Sequence, residues 1–298
     1  MTNWQIDFSA WLAARIVNGR KLAQLTINSN LQTARILAAW YEMTYQEPLN
    51  PSTLTNYDLL AFRAWSINIQ RVAASTWNVR RAALANLAEW VGDPELMTGV
   101  SIQDAGETAL RWLDDAEYGR LVRALERLPK RAITALQHER AIRDRALVSI
   151  MLFAGLRVNE VSGLRRTDIT IGERSGVVLV HQGKGNKSRR VPLSLAARRA
   201  LSAWLDISTG EQVFDVANRT IQRVVAEIGA QAAIPGLSCH DLRHTFAKRT
   251  TDGKNSSDGA PVQLGIVKSL LGHSRLETTL RYTAPSWADM ENALGGIR

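Results

Sequence analysis

Side chains able to hold a phosphate or move a proton follow one another through the second half of the chain. In Ala154-Gly-Leu-Arg157-Val-Asn-Glu160 an apolar run stops at Gly155, and an arginine and a glutamate then stand three residues apart. If a helix resumes there, the two share a face and can pair. Lys184 sits between glycines in Gly183-Lys184-Gly185, the composition of a turn tip. The densest string is His240-Asp-Leu-Arg243-His244. On a helix, position 240 shares a face with 243 and with 244. A guanidinium beside an imidazole suits an anionic oxygen, because arginine gives forked, charge-assisted hydrogen bonds. Two histidines at i and i+4 also suit a metal ion, and the residues alone leave both readings open. His273 follows a glycine helix stop in Leu270-Leu-Gly-His273, and Tyr282 lies further on in Leu280-Arg-Tyr-Thr283. Each motif alone also has a plainer structural reading: a surface ion pair, an ordinary turn, a packed tyrosine.

The elements that must position these residues are mostly helices. From position 22 to 45, Leu31, Ala34, Leu37, Ala38 and Tyr41 recur at three- and four-residue steps. Pro48-Leu-Asn-Pro51-Ser52 breaks that helix. A second helix is expected after Thr55, through Leu59, Leu60, Phe62 and Trp65, and a third after Ser75-Thr76, through Trp77, Leu84, Leu87 and Trp90. Tryptophans at this spacing are expected in a core, where large aromatics dominate burial. Residues 92–108 hold Gly92, Pro94, Gly99 and Gly106 with little periodicity and read as a connection. Asp114-Asp-Ala-Glu117 is an acidic helix start. Helices are then expected through Leu121–Leu128 and over 140–154, 195–206, 218–231, 240–250 and 262–271. Gly176-Val-Val-Leu-Val180 and Arg189-Arg-Val-Pro-Leu193 read as the strands of a hairpin whose tip carries Lys184. Residues 250–259 form a polar surface loop.

Composition sets the outer limits. The chain has 298 residues, 45% hydrophobic and 22% charged, which excludes wholesale disorder. That length suggests two domains at roughly 100–200 residues each. The single cysteine, Cys239, excludes a disulfide framework and a cysteine-based zinc cluster. No apolar run is long enough for a spanning helix, and the start of the chain does not read as a secretory signal, so a cytoplasmic protein without membrane contact is expected. The net charge is +9, and it is uneven: residues 1–100 hold 8 Lys+Arg against 7 Asp+Glu, whereas 101–298 hold 29 against 21. A basic second half permits a polyanionic partner such as nucleic acid.

The ordered set Arg157, Lys184, His240, Arg243, His273 and Tyr282, in the strings GLRVNE, GKGNKSRRVPL, HDLRHTFA and LLGHSRLETTLRYT, resembles the tyrosine recombinase (phage integrase) family over 154–283. More loosely, TLTNYDLLAF and TWNVRRAALANLAEW are similar to the family's core-binding domain. The resemblance implies a mainly α fold with a small β-hairpin or sheet in the catalytic domain. It divides the chain into a helical DNA-binding domain (1–98), a linker (99–110) and a catalytic domain with a C-terminal tail helix (111–298). It also implies site-specific cleavage and rejoining of double-stranded DNA through a 3′-phosphotyrosyl link, for integration, excision or resolution.

In the implied mechanism Tyr282 is the nucleophile and Arg157 and Arg243 hold the phosphate. Lys184 is the general acid, His240 the general base and His273 a hydrogen-bond donor to the phosphate, while Glu160 orients its neighbours. Arg80, Arg81, Lys187 and Arg189 are candidate DNA contacts. No metal and no cofactor is implied. The implied partners are a recombination site, a tetramer of this chain on two sites, and accessory proteins, with nucleoid association when bound. The stretch from Arg243 to His273 is longer than in compact chromosomal members, with the surplus at 250–259. That leaves a Xer-like enzyme, a resolvase and a mobile-element integrase open. An architectural DNA binder and a type IB topoisomerase are the rival readings.

Overall fold

Apolar stripes at helical spacing build most of the structure. The computed structural model describes residues 2–104, 106, 110–181, 188–256 and 259–272. It divides into two units, Met1–Thr108 and Ala109–Arg298.

The first unit contains α1 (Asn3–Ala14), the short strands β1 (Ile16–Val17) and β2 (Arg20–Lys21), α2 (Gln24–Tyr45), α3 (Asn56–Ala64) and α4 (Ala74–Val91). Asn18 and Gly19, both at positive φ, turn the chain between β1 and β2, as Asn-Gly does in tight hairpins. Thr55 and Asp58 close a reciprocal cap at the start of α3. Phe8, Leu37, Phe62 and Trp77 are fully buried, and Trp40 meets Phe62 edge-on with ring centroids 5.4 Å apart. Trp77 is therefore a core residue, as its spacing predicts, whereas Trp65 and Trp90 are partly buried against the same core. Part of the expected connection also packs on this unit. Val100 is buried, the Trp77 indole N–H donates to the Ser101 carbonyl, and Asn78 and Gln103 exchange two hydrogen bonds of 2.8 Å.

The second unit runs α5 (Asp115–Arg127), α6 (Ala135–Ala154), α7 (Val158–Ser162), β3 (Ile169–Ile171), β4 (Gly176–His181), β5 (Ser188–Pro192), α8 (Leu195–Leu205), α9 (Asn218–Gln231), α10 (Cys239–Thr251) and α11 (Leu264–Leu271). Helix α6 is buried almost continuously from Ala146 to Ala154 and packs chiefly on α8 and α10. It is the central helix of this core. The strands form one antiparallel sheet in the order β3-β4-β5. Val178 lies opposite Ile169 on one side and Val191 on the other. The expected hairpin is present as β4 and β5, and β3 is an addition to the expectation. His181, at the end of β4, is held to the Asp168 carboxylate at 2.8 Å. Residues 182–187, with Lys184 and Lys187, lie outside the described residues, as do His273, Tyr282 and the tail helix expected after Pro285. The polar loop after α10 folds back toward α5, where Arg249 and Lys254 both reach the Asp115 carboxylate at 2.6 Å. No described helix is long and apolar enough to cross a membrane.

Candidate active site

Gly155 caps α6 in the left-handed conformation, φ +67°. A Cβ at this position would lie 2.4 Å from the Phe246 ring. Glycine thus ends α6 and lets α10 lie directly against the chain there. The Gly155 carbonyl then accepts a hydrogen bond from Arg243 Nη1.

Two residues later Arg157 starts α7. Its backbone N–H donates to Glu160 Oε2 at 2.8 Å and its Nη1 to Oε1 at 3.0 Å. The three-residue spacing therefore does produce a pair, and it also caps α7. Arg189 on β5 adds a two-pronged contact to the same carboxylate, Nη1 to Oε1 and Nη2 to Oε2, both 2.8 Å. Arg243 Nη1 stands 4.0 Å from Oε2. Burial alone would raise the Glu160 pKa. The hydrogen bonds and charge of Arg189, with those of Arg157, outweigh it and hold the carboxyl below its ordinary range.

The same three arginines grip the end of α11. Arg189 Nε donates to the Leu270 carbonyl at 2.8 Å, Arg243 Nη2 to Leu271 at 2.5 Å, and Arg157 Nη2 reaches Gly272 at 3.5 Å. The last carbonyls of a helix have no partner within it and carry partial negative charge, so guanidinium groups suit them. One ionised glutamate and three arginines leave a surplus of positive charge where α6, α7, β5, α10 and α11 converge. Arg157 is the most open of the three: its side chain is 37% exposed, against 9% for Arg189 and 4% for Arg243. Such a surplus stabilises an oxyanion or a phosphoryl group.

Ser238 and Asp241 close a capping box that starts α10. His240, in the first turn, is exposed, one turn before Arg243. It stacks on His244 with centroids 6.2 Å apart. Among the described residues no group of three His, Cys, Asp or Glu gathers as a metal site. Cys239 is buried, which pushes its thiol pKa up to about 11.

Of the sequence candidates, the fold brings together Arg157, Glu160 and Arg243, with His240 on the same helix as Arg243. Arg189, expected at the DNA surface, instead turns inward onto Glu160. Strand periodicity carried that signal, since Arg189 shares a face with the buried Val191. Arg80 and Arg81 lie in the first unit. There Arg80 Nη1 donates to Ser66 and Gln70, and Arg81 Nε to the Val100 carbonyl.

Helices that gather arginines around one buried carboxylate beside a small antiparallel sheet make an anion-handling site on a mainly α scaffold. The chain belongs to the phage integrase family, which it matches over residues 111–288. Its relatives include the tyrosine recombinase XerC of Pelobacter propionicus, 37% identical over 48% of this chain and 47% of the relative. The XerC of Corynebacterium glutamicum is 35% identical over 49% of this chain and 47% of its own length. The matched region thus spans about half the length of these curated relatives. Two solved structures share the fold. XerH site-specific recombinase bound to a palindromic difH substrate superposes with a TM-score of 0.71 at 19% identity, covering 98% of this chain and 94% of that one. A lambda integrase dimer bound to a core site gives 0.65 at 16% identity, covering 95% and 78%.

Proposed function

We propose that this chain is a site-specific tyrosine recombinase that cuts and rejoins double-stranded DNA through a covalent link to Tyr282. The observation that carries the reading is the convergence of Arg157 and Arg243 on the end of α11, immediately before His273. The Tyr282 oxygen attacks the scissile phosphorus, and the bond from phosphorus to the 5′ oxygen breaks. The energy of the phosphodiester is kept in the 3′-phosphotyrosyl link, so a 5′-hydroxyl can reverse the step without ATP. Arg157 and Arg243 stabilise the charge on the non-bridging oxygens, with His273 as a further donor. Lys184 gives a proton to the leaving 5′ oxygen. His240 takes the proton of Tyr282, because a free tyrosine with a pKa of about 10 is a weak nucleophile at neutral pH. Glu160 acts through the arginines, as the group that orients them.

In this reading residues 1–98 form a core-type DNA-binding domain, 99–110 a linker whose first residues pack back on that domain, and 111–298 the catalytic domain. Lys187 contacts phosphate near the hairpin tip, and Arg80 and Arg81 face DNA from the first domain. The chain works in the cytoplasm at the nucleoid, as a tetramer on two sites joined by its C-terminal tail, with accessory proteins, in resolution or mobile-element transfer. A nicked suicide substrate tests the central step. Wild-type protein should accumulate a denaturation-resistant adduct with and without EDTA at matched ionic strength, and Tyr282→Phe should bind DNA but form none. An adduct from Tyr282→Phe, or an absolute need for one divalent ion, would overturn the proposal. Deleting 286–298 should spare single-site binding and reduce synapsis.

A further inference from the structure

Away from the candidate active site, the second unit carries a hollow of about 200 Å³. Arg120, Arg123, Arg127 and Arg131 line it, opposite Gln231, Ala232 and Ala233 at the end of α9, and no carboxylate does. Arg120, Arg123 and Arg127 follow the i, i+3, i+7 pattern, so they share one face of α5. The other face is the apolar one, with Leu121 and Leu125 buried in the core. Arg120 anchors the row, its Nε donating to the Ala232 carbonyl at 3.1 Å. Among the described residues, no hydrogen bond or ion pair engages the side chains of Arg123, Arg127 or Arg131.

The row also leads away from the site. The Pro129 carbonyl meets His138 Nδ1 in the first turn of α6, whereas Gly155 caps the other end of that helix. A helix of this length spans about 30 Å, so Arg131 stands roughly one α6 length from the Gly155 turn. Guanidinium groups crowded around one hollow without a counter-charge repel each other, and an anion relieves that repulsion. A single phosphate cannot reach the whole row. A repeating one can, because a four-residue helical step advances about 6 Å and successive phosphates on one strand of a duplex advance about 3.4 Å along its axis.

We propose that this arginine row is a second binding surface for the DNA backbone, taking duplex that continues beyond the segment held at the candidate active site. The choice of DNA among polyanions rests on the function proposed above; the test does not require cleavage. It uses the full chain carrying Tyr282→Phe, combined with an Arg123→Ala/Arg127→Ala/Arg131→Ala triple or the equivalent lysine triple. Affinity is measured against salt for random-sequence duplexes of one and of four helical turns, and for inorganic polyphosphate. The alanine triple should lower the salt slope on the long duplex by about 2 to 3, since each phosphate contact contributes about 0.9. It should leave the short duplex unchanged without lowering the melting temperature, and the lysine triple should restore the slope. Equal losses on both lengths would place the arginines on the same DNA segment as the active site and overturn the proposal. So would unchanged slopes, or a loss confined to polyphosphate. Absence of a Tyr282 adduct in the suicide-substrate experiment would remove the cleavage reading and leave these slopes standing.

Discussion

Arg189 grips Glu160 through two parallel hydrogen bonds of 2.8 Å, and both side chains are about nine-tenths buried. Breaking a buried pair from one side leaves the other charge uncompensated. Glu160→Ala should therefore destabilise the second unit by about 3–5 kcal/mol. Urea unfolding followed separately for the two units checks this, because a chain of two units need not unfold in one step. A loss below about 1 kcal/mol would reduce the pair to the level of an exposed salt bridge.

The same carboxylate predicts an acid limit. Its folded pKa lies below the ordinary 4.5 because the arginine contacts outweigh its burial. A depressed carboxyl pKa stabilises the fold above the unfolded value, and that stabilisation disappears as pH falls through the folded one. The melting-temperature gap between wild type and Glu160→Gln should be constant from neutral pH down to about 5 and shrink below about 4.5. A gap that stays constant to pH 3 would show that Glu160 is protonated alike in both states.

The helices were legible from periodicity, and so was the hairpin, because apolar repeats and turn residues are local signals. Four elements were not. In α1 Trp4, Phe8, Trp11 and Leu12 share one face and pack on the first core, but exposed Ile6 and the alanines on the other side blur the stripe. Strand β3 is three residues long, too short for an alternating pattern. Strands β1 and β2 have two residues each, and only Asn18-Gly19 hints at them. At the site, the Arg157–Glu160 spacing foretold their contact because it lies within one helical turn. The Arg189–Glu160 bond joins residues 29 apart in sequence and depends on sheet register. The grip on α11 involves carbonyl groups, which every residue carries and no motif marks.

Gly155 offers a backbone test. Gly155→Ala must place a side chain at φ +67° and within 2.4 Å of Phe246. The left-handed conformation alone costs about 1–2 kcal/mol, and the ring must move as well. The variant should lose at least that much stability. Adding Phe246→Leu should recover only the steric part. Full recovery in the double variant would show that backbone conformation contributes nothing here.

Arg243 separates structure from chemistry. Its two terminal nitrogens donate to Gly155 and Leu271, carbonyls on separate segments, so it fastens α11 to the end of α6; in the proposed reaction the same guanidinium also supplies charge to the phosphate. Lysine keeps the charge but cannot reproduce the planar fork. Arg243→Lys should leave one of these carbonyls without its donor, at a cost of about 1–3 kcal/mol. In the proposed reaction it also removes one oriented donor from the transition state, an effect worth about 100- to 1,000-fold in rate. Adduct formation should be timed at saturating DNA and well below the melting temperature of the variant, so that neither binding nor unfolding limits it. A slowed adduct with near-normal DNA affinity supports the phosphate-holding role. A normal rate in a destabilised variant would mean that Arg243 serves only to hold α11, leaving Arg157 as the one arginine of the pair that meets the substrate.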